Sequence, residues 1–144
     1  MKTPSLGEML HRLLRAEGQG RAAKTVEVFG WLILAEGVGL LLVPQLAATL
    51  LHLPPLEGQA ENYLRLVGLL VSGLGMLYVA SGRLNAQGFV FASLLDRPLV
   101  PPAMFVLWFL GILPWPLALA FSVQDFVSFV WTLSAWGAEH RSGA

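Results

Sequence analysis

The sequence predicts an all-α membrane protein with four transmembrane helices in an antiparallel bundle and an N-terminal amphipathic interfacial helix. Composition is the first observation, because 56% of the 144 residues are hydrophobic and only 12% are charged. A typical soluble domain has about 25% charged residues. The second observation is that the apolar residues fall into stretches long enough to cross a bilayer. The third is that prolines and polar residues separate these stretches.

The N-terminal segment, residues 1–25, is polar and basic and contains one patterned stretch. Ser5 and Glu8 have the spacing of a capping box, which predicts the start of a helix. The apolar residues that follow recur every three or four positions and are Leu6, Met9, Leu10, Leu13 and Leu14. A helix with a basic polar face suits a surface of anionic lipid headgroups. Docking on its own bundle or on a partner is the alternative.

The predicted bundle occupies residues 26–137, and a cytoplasmic tail follows at 138–144. Its spans are predicted at residues 26–43, 62–82, 98–114 and 117–136.

The connections between these spans differ in character. Residues 45–53 predict a short interfacial helix after Pro44. The apolar stretch Gly88–Leu95 is too short to cross a bilayer, so it predicts an interfacial or re-entrant helix. The third span is then expected to begin at Pro98, since prolines are favoured in the first turn of a helix. Trp115 and its flanking prolines predict a tight hairpin before the fourth span.

The distribution of Lys and Arg predicts that both termini are cytoplasmic. Basic residues concentrate before the first span, around the second connection and after the last span. The first and third connections contain none; Arg65 lies just inside the second helix. Positively charged loops stay on the cytoplasmic side. A multi-pass protein of the bacterial inner membrane is therefore expected.

Five glycines are candidate helix-packing positions. They stand seven residues apart within two spans and are Gly30, Gly37, Gly68, Gly75 and Gly82. A spacing of seven places residues on one face of a helix. Small residues on one face let a neighbouring helix approach closely. The first span is therefore expected to pack on the second through these glycines.

Three charges lie within the predicted spans and form a candidate intramembrane cluster: Glu36, Arg65 and Asp125. Ionisable residues in a membrane usually face the bundle interior and pair with one another. A structural contact between Arg65 and Asp125 is the favoured interpretation. The alternatives are a ligand or ion site at Glu36 or Asp125, contacts with a partner, and an Arg65 that extends outward to pair with Glu61.

Other chemistry is sparse. The absence of cysteine excludes iron–sulfur clusters and thiolate metal sites. The three histidines, His11, His52 and His140, all fall outside the predicted spans, so no haem ligation within the bundle is expected. Asp96 and Arg97 are interpreted as an anchor at a membrane edge. We therefore expect no cofactor, no metal, no catalytic residues and no nucleic-acid partner.

The layout of the later helices resembles that of small bacterial four-helix membrane proteins of the BphX-like kind. The residues that carry the resemblance span about two-thirds of the chain. They are Arg65-x-x-Gly68 at the start of the second helix, Tyr78 near its end, Arg97, and Asp125 with Thr132 in the fourth helix. This resemblance implies a four-helix fold and no particular activity.

The first span is similar to small multidrug-resistance transporters, which carry a membrane-embedded glutamate in their first helix. The similar stretch is Trp31–Gly39, which contains Glu36. This chain departs from them in its length, its N-terminal helix, its long first connection, and Arg65 and Asp125. The resemblance implies a proton-coupled transporter or ligand carrier that uses Glu36.

The leading expectation is a non-enzymatic structural or accessory subunit, or a lipid-contacting protein, which associates with itself or with a larger membrane complex. A carrier that uses Glu36 is the alternative, and an enzyme acting on a membrane lipid is a third possibility.

Overall fold

The computed structural model describes residues 4–142, and within them it is helical with no β-strand. Seven α-helices and one 3-10 turn follow one another along these residues. They are α1 (Leu6–Arg15), α2 (Arg21–Leu42), α3 (Pro44–Leu50), α4 (Ala60–Arg83), α5 (Gln87–Asp96), the 3-10 turn Arg97–Leu99, α6 (Val100–Phe109) and α7 (Trp115–Ser142).

Four helical segments of the described chain are long and apolar enough to cross a membrane, which confirms the predicted number. They are Arg21–Leu42, Ala60–Arg83, Gln87–Phe109 and Trp115–Arg141. These four segments make the chain a multi-pass membrane protein. We call the side at which α2 begins and α4 ends the α1 side of the membrane.

The third of these segments begins eleven residues before the predicted start at Pro98. The stretch Gly88–Leu95, predicted to be interfacial or re-entrant, is instead the first half of this helix. Arg97 keeps the right-handed helical values φ −56° and ψ −42°, although a residue before proline usually leaves this region. The 3-10 turn changes the hydrogen-bonding pattern where Pro98 lacks an N–H. The helix therefore continues through the proline cluster.

The helices α2 and α4 are in backbone contact, and the five glycines lie at this contact. A methyl group on Gly75 would stand 2.5 Å from the backbone nitrogen of Leu34, and one on Gly30 would stand 2.6 Å from that of Val79. Such distances leave no room for any side chain. The other three glycines are packed as closely. An added methyl group would meet Ser72 at Gly37, Leu41 at Gly68 and Glu27 at Gly82. The residue numbers fall along one helix as they rise along the other, so α2 and α4 run antiparallel.

The hydrophobic core lies in the half of the molecule nearest the α1 side. Its buried residues come from α2, α4 and α5 and are Ala22, Ala23, Val26, Phe29, Ile33, Tyr78 and Val90. The Tyr78 ring packs edge-to-face on Phe29 and on Phe89, with centroids 5.5 Å and 4.8 Å apart. The third membrane helix is less covered toward the opposite side: α6 packs against α7 and the 3-10 turn, and α6 contains no buried residue.

The N-terminal helix α1 begins with the predicted capping box. Glu8 accepts a hydrogen bond from the Ser5 backbone N–H at 2.6 Å, and the Ser5 hydroxyl accepts one from the Glu8 N–H at 3.3 Å. The hydrogen bond from the Ser5 backbone N–H stabilises the ionised carboxylate and is the main cause of the lowered pKa of the Glu8 carboxyl. The helix start is therefore fixed by its own sequence.

We expect Gly75→Ala to destabilise the fold by about 1–3 kcal/mol, because the added methyl group must push α2 away from α4. Thermal unfolding in mild detergent measures the effect. Gly73→Ala is the matched control, since Gly73 lies on the same helix with no atom within 4 Å of the added group. That variant should be neutral or up to about 1 kcal/mol more stable. Equal loss of stability in both variants would contradict the close contact.

Candidate functional site

Arg97 occupies the middle of the third membrane helix and is completely buried. It lies about 15 Å along the helix axis from Gln87 and about 18 Å from Phe109, at a rise of 1.5 Å per residue. Its side chain tilts toward the start of its own helix, and its contacts on α2, α4 and α7 all lie in the half nearest the α1 side. An intramembrane cation in this position is a candidate functional residue.

The guanidinium of Arg97 is held on one edge and on its flat faces. Its Nη1 donates to the Thr132 hydroxyl at 2.8 Å and to the Ser128 carbonyl at 3.2 Å. The central carbon lies 4.2 Å from the ring centroid of Phe29 and 5.3 Å from that of Tyr78. Both distances are in the range of cation–π attraction. Three membrane helices thus contribute contacts to one cation.

The Thr132 hydroxyl links Arg97 to α2 through a short chain of hydrogen bonds. Thr25 and Thr132 place their hydroxyl oxygens 2.8 Å apart, and the Thr25 oxygen is 2.7 Å from the Ala22 carbonyl. Each hydroxyl has a single proton to donate. The protons are therefore satisfied when Thr132 donates to Thr25 and Thr25 donates to Ala22. Thr132 accepts from Arg97 in this arrangement, and α7 is fastened to α2.

The side chain of Tyr78 also interacts electrostatically with the guanidinium. Nε and Nη2 of Arg97 are buried and have no hydrogen-bond partner among the described residues. These two N–H groups lie side by side and match the two oxygens of a carboxylate. Asp125 and Asp96 are close enough to interact electrostatically with Arg97, but within residues 4–142 no carboxylate lies at ion-pair distance from it. A buried cation without a contacting counter-ion is costly.

The predicted cluster of Glu36, Arg65 and Asp125 is only partly present. Glu36 and Asp125 interact electrostatically, and Glu36 accepts a hydrogen bond from Gln124 of α7 at 3.1 Å. Arg65 is bound elsewhere, since it forms a 2.7 Å ion pair with Glu61 and donates to the Leu41 carbonyl at 2.6 Å. The favoured contact between Arg65 and Asp125 is therefore wrong, and the outward pairing with Glu61 is the one observed.

The tilt of helical side chains explains this correction. Side chains point toward the N-terminus of their own helix, so Arg65 extends toward the start of α4 and away from the bundle centre. Arg97 is on a helix of the opposite direction and extends toward the core. The interpretation of Asp96 and Arg97 as an anchor at a membrane edge is wrong, because both residues lie within the third helix. The uninterrupted apolar stretches on both sides of Pro98 were the signal that could have revealed this.

A groove of about 240 Å³ lies between α2, α3 and α7, on the side of the membrane opposite α1. Its lining is apolar apart from Glu36 and Gln124. The hydrogen bond from Gln124 fixes one oxygen of Glu36, and no other helix within residues 4–142 donates a hydrogen bond to its second oxygen. The groove can therefore offer a hydrogen-bond acceptor, or a negative charge, to an apolar ligand.

A second polar cluster joins α1 to the membrane helices. Arg83 forms a 2.7 Å ion pair with Glu27 and donates to the carbonyls of Leu13 and Leu14 at 2.6 Å and 2.8 Å. Gln19 donates to Glu27 at 2.6 Å and to the Gly82 carbonyl. Arg83 thus satisfies carbonyls that the end of a helix leaves without partners. This cluster fixes the position of α1, and its groups are occupied with each other.

No group of three or more His, Asp or Glu side chains among the described residues is placed to hold a metal ion. Comparisons with protein-family models, curated proteins and solved structures find no match to this chain. The function is therefore argued from the buried arginine, the Glu36 groove and the exposed faces of the helices.

Replacing Arg97 by methionine should leave the fold as stable as the wild type, or more stable by about 1–4 kcal/mol. The reason is that removing an unpaired buried charge ends its desolvation cost while the side-chain volume is retained. Arg97→Ala is the matched variant, and its cavity should make it about 2–5 kcal/mol less stable than Arg97→Met. Thermal unfolding in detergent compares the three proteins. A methionine variant as unstable as the alanine variant would show that the charge itself holds the bundle together.

Proposed function

We propose that the protein is a non-enzymatic accessory or structural subunit of the bacterial inner membrane, which binds lipid and associates with itself or with a larger membrane complex. The observation that carries this proposal is the one-sided packing of the third membrane helix. Its buried residues are confined to its first half and are Val90, Ser93, Leu94 and Arg97. The second half, α6, is covered only by α7 and the 3-10 turn.

The use of the charged side chains supports this interpretation. Arg65 binds a carbonyl of α2, and Arg83 joins α1 to α2 and α4. Glu36 is hydrogen-bonded to α7. These groups hold helices together. A catalytic site would need polar groups that converge on an accessible cavity, and the most polar residue of the core, Arg97, is enclosed.

The surface of α1 supports the lipid-contacting part of the proposal. Leu6, Leu10 and Leu14 are 77%, 50% and 75% exposed, although Arg83 holds the end of the helix against the membrane segments. The polar side carries Arg12 and Arg15. An apolar stripe beside basic residues suits an amphipathic helix that lies among anionic headgroups. The charge distribution supports a cytoplasmic location for this helix and for both termini. That orientation is consistent with the proposed antiparallel bundle of four spans.

Native mass spectrometry of the protein released from its own membrane tests the proposal. We expect a stable oligomer or a complex with another membrane protein, with lipid retained on part of the population. The open side of α6 is the physical reason, because a partner can add packing there that the single chain lacks. A strictly monomeric protein without a partner, under conditions that preserve known membrane complexes, would overturn it.

A ligand carrier is the second candidate, and the groove that contains Glu36 favours it. An apolar cavity with one carboxyl group suits a lipophilic cation, which would displace a proton from Glu36 on binding. Tetraphenylphosphonium is a suitable probe of this chemistry.

If Glu36 carries such a ligand, adding tetraphenylphosphonium to the detergent-solubilised protein releases protons in proportion to the ligand bound. Glu36→Gln should abolish the release, because an amide has no proton to exchange at neutral pH. Glu57→Gln, in the connection between α3 and α4, is the control and should leave it intact. Release that survives in Glu36→Gln would exclude this function.

A further inference from the structure

A cavity of about 520 Å³ opens on the α1 side of the membrane, where α5 begins and α7 ends. Within residues 4–142 its lining consists of Gln87, Trp136, Glu139 and His140. Gln87 is the first residue of the third membrane segment, and the other three lie in the last two turns of the fourth. We call this space the α5–α7 cavity. It differs from the groove around Glu36 because its lining is mainly polar.

The α5–α7 cavity lies at the level of the lipid headgroups. Trp115 and Trp136 stand on α7 about 32 Å apart along the helix axis, at a rise of 1.5 Å per residue. The hydrocarbon core of a bilayer is about 30 Å thick, and tryptophan is favoured at its two edges. Glu139 and His140 follow Trp136 by about one turn, so they lie just outside the hydrocarbon core. A lipid headgroup is therefore the group that this cavity meets in the membrane.

Two of the lining side chains have a donor in use and an acceptor left over. The amide nitrogen of Gln87 donates to Asn85 at 2.8 Å, and the amide oxygen of Gln87 is an acceptor. Nδ1 of His140 lies 2.8 Å from the Trp136 carbonyl, which can only accept, so Nδ1 carries a proton. In the neutral imidazole Nε2 is then an acceptor. The two side chains thus favour a ligand that donates hydrogen bonds.

Glu139 brings a negative charge to the cavity, and α2 holds it in place. Its Oε1 accepts a hydrogen bond from the backbone N–H of Ala22 at 3.2 Å, in the first turn of α2. A carboxylate has two oxygens with about four acceptor positions, so this bond uses only part of its capacity. A carboxylate in the lining favours a cationic ligand and disfavours an anionic one.

We propose that the α5–α7 cavity binds the headgroup of a membrane lipid with a primary ammonium group, the chemistry of phosphatidylethanolamine. A primary ammonium has a positive charge and three N–H donors. Its charge complements that of Glu139, and its donors match the carboxylate, the Gln87 oxygen and Nε2 of His140. A trimethylated ammonium has the same charge but no N–H to donate, so it meets only the electrostatic requirement. The indole of Trp136 lies beside the apolar part of the lipid.

This inference rests on the proposed function, because it names a lipid class and a site for the lipid-binding part of that function. It concerns a different surface from the basic side of α1, which suits anionic headgroups. A lipid is favoured over a soluble amine because the cavity lies in the headgroup layer, where the ammonium groups of lipids are concentrated.

Lipid titration followed by native mass spectrometry tests the proposal. The detergent-solubilised protein is mixed with dioleoylphosphatidylethanolamine or dioleoylphosphatidylcholine, which differ only in the methylation of the ammonium group. We expect phosphatidylethanolamine to bind at least fivefold more tightly, because hydrogen bonds to charged groups are the stronger kind. Equal binding of the two lipids, or tighter binding of dioleoylphosphatidylglycerol, would overturn the proposal. Displacement by an equal concentration of soluble ethanolamine would overturn the assignment to a lipid.

Two variants test whether the preference arises at this cavity. Glu139→Gln keeps an oxygen that can accept from Ala22 but removes the charge, and His140→Phe keeps a ring beside Trp136 but removes Nε2. Each should reduce the preference for phosphatidylethanolamine to less than half of its wild-type value and leave phosphatidylcholine binding unchanged. Glu17→Gln is the matched control, because Glu17 is a 58% exposed carboxylate near α1. It should keep the full preference.

Thermal unfolding of each variant in detergent confirms that the fold is retained. A preference that survives in both Glu139→Gln and His140→Phe would overturn the proposed site, since it would then arise elsewhere on the protein.

Failure of this inference and failure of the proposed function have different signatures. If the protein released from its own membrane is a complex with retained lipid, and the titration shows no preference for phosphatidylethanolamine, the lipid class is wrong and the accessory function stands. If the protein is monomeric and binds no lipid in either experiment, both proposals fail.

Discussion

The backbone contact between α2 and α4 is the constraint on which the rest of the molecule depends. Gly30 and Gly37 on one helix, and Gly68, Gly75 and Gly82 on the other, leave no space for side chains between the two backbones. In lipid, helices gain little from burying apolar surface, so dense packing of this kind must provide much of the association energy. A contact at this distance also fixes the register of the two helices, because a shift by one residue would place a side chain where only glycine fits. The positions of α5 and α7 are set relative to this rigid pair.

Arg97 is buried as a consequence of that arrangement. The rigid pair presents the rings of Phe29 and Tyr78 at one level, and α5 packs there through Val90 with α7 beside it. The guanidinium enters between these elements and binds α7 through Thr132 and Ser128. Two of its nitrogens remain without partners. A methionine would fill the same space without the desolvation cost, so packing alone does not account for an arginine here. Asp125 and Asp96 interact electrostatically with its guanidinium.

The features that follow from local rules could be predicted from the sequence. The number of membrane segments follows from the length of the apolar stretches. The capping box follows from the spacing of Ser5 and Glu8, and the packing glycines are recognised because they repeat every seven residues. The start of the third helix was predicted wrongly because a proline usually marks the start of a helix. Whether a 3-10 turn continues the helix through the proline depends on the surrounding packing. This error placed Arg97 at a membrane edge and left Arg65 as the only buried cation. Arg65 and Arg97 differ in the direction of their helices, which decides whether a side chain extends toward the core or away from it.

The third membrane helix therefore has an enclosed first half and an open second half. Near α1, the ion pair of Arg83 and Glu27 fastens helices together, and both of its members have partners. In the second half of the third membrane helix, α6 has no buried residue. Arg97 is completely buried, whereas the preceding residue, Asp96, is exposed on the same helix. The same helix thus encloses a cation among its neighbours over its first half and leaves apolar side chains uncovered over its second half.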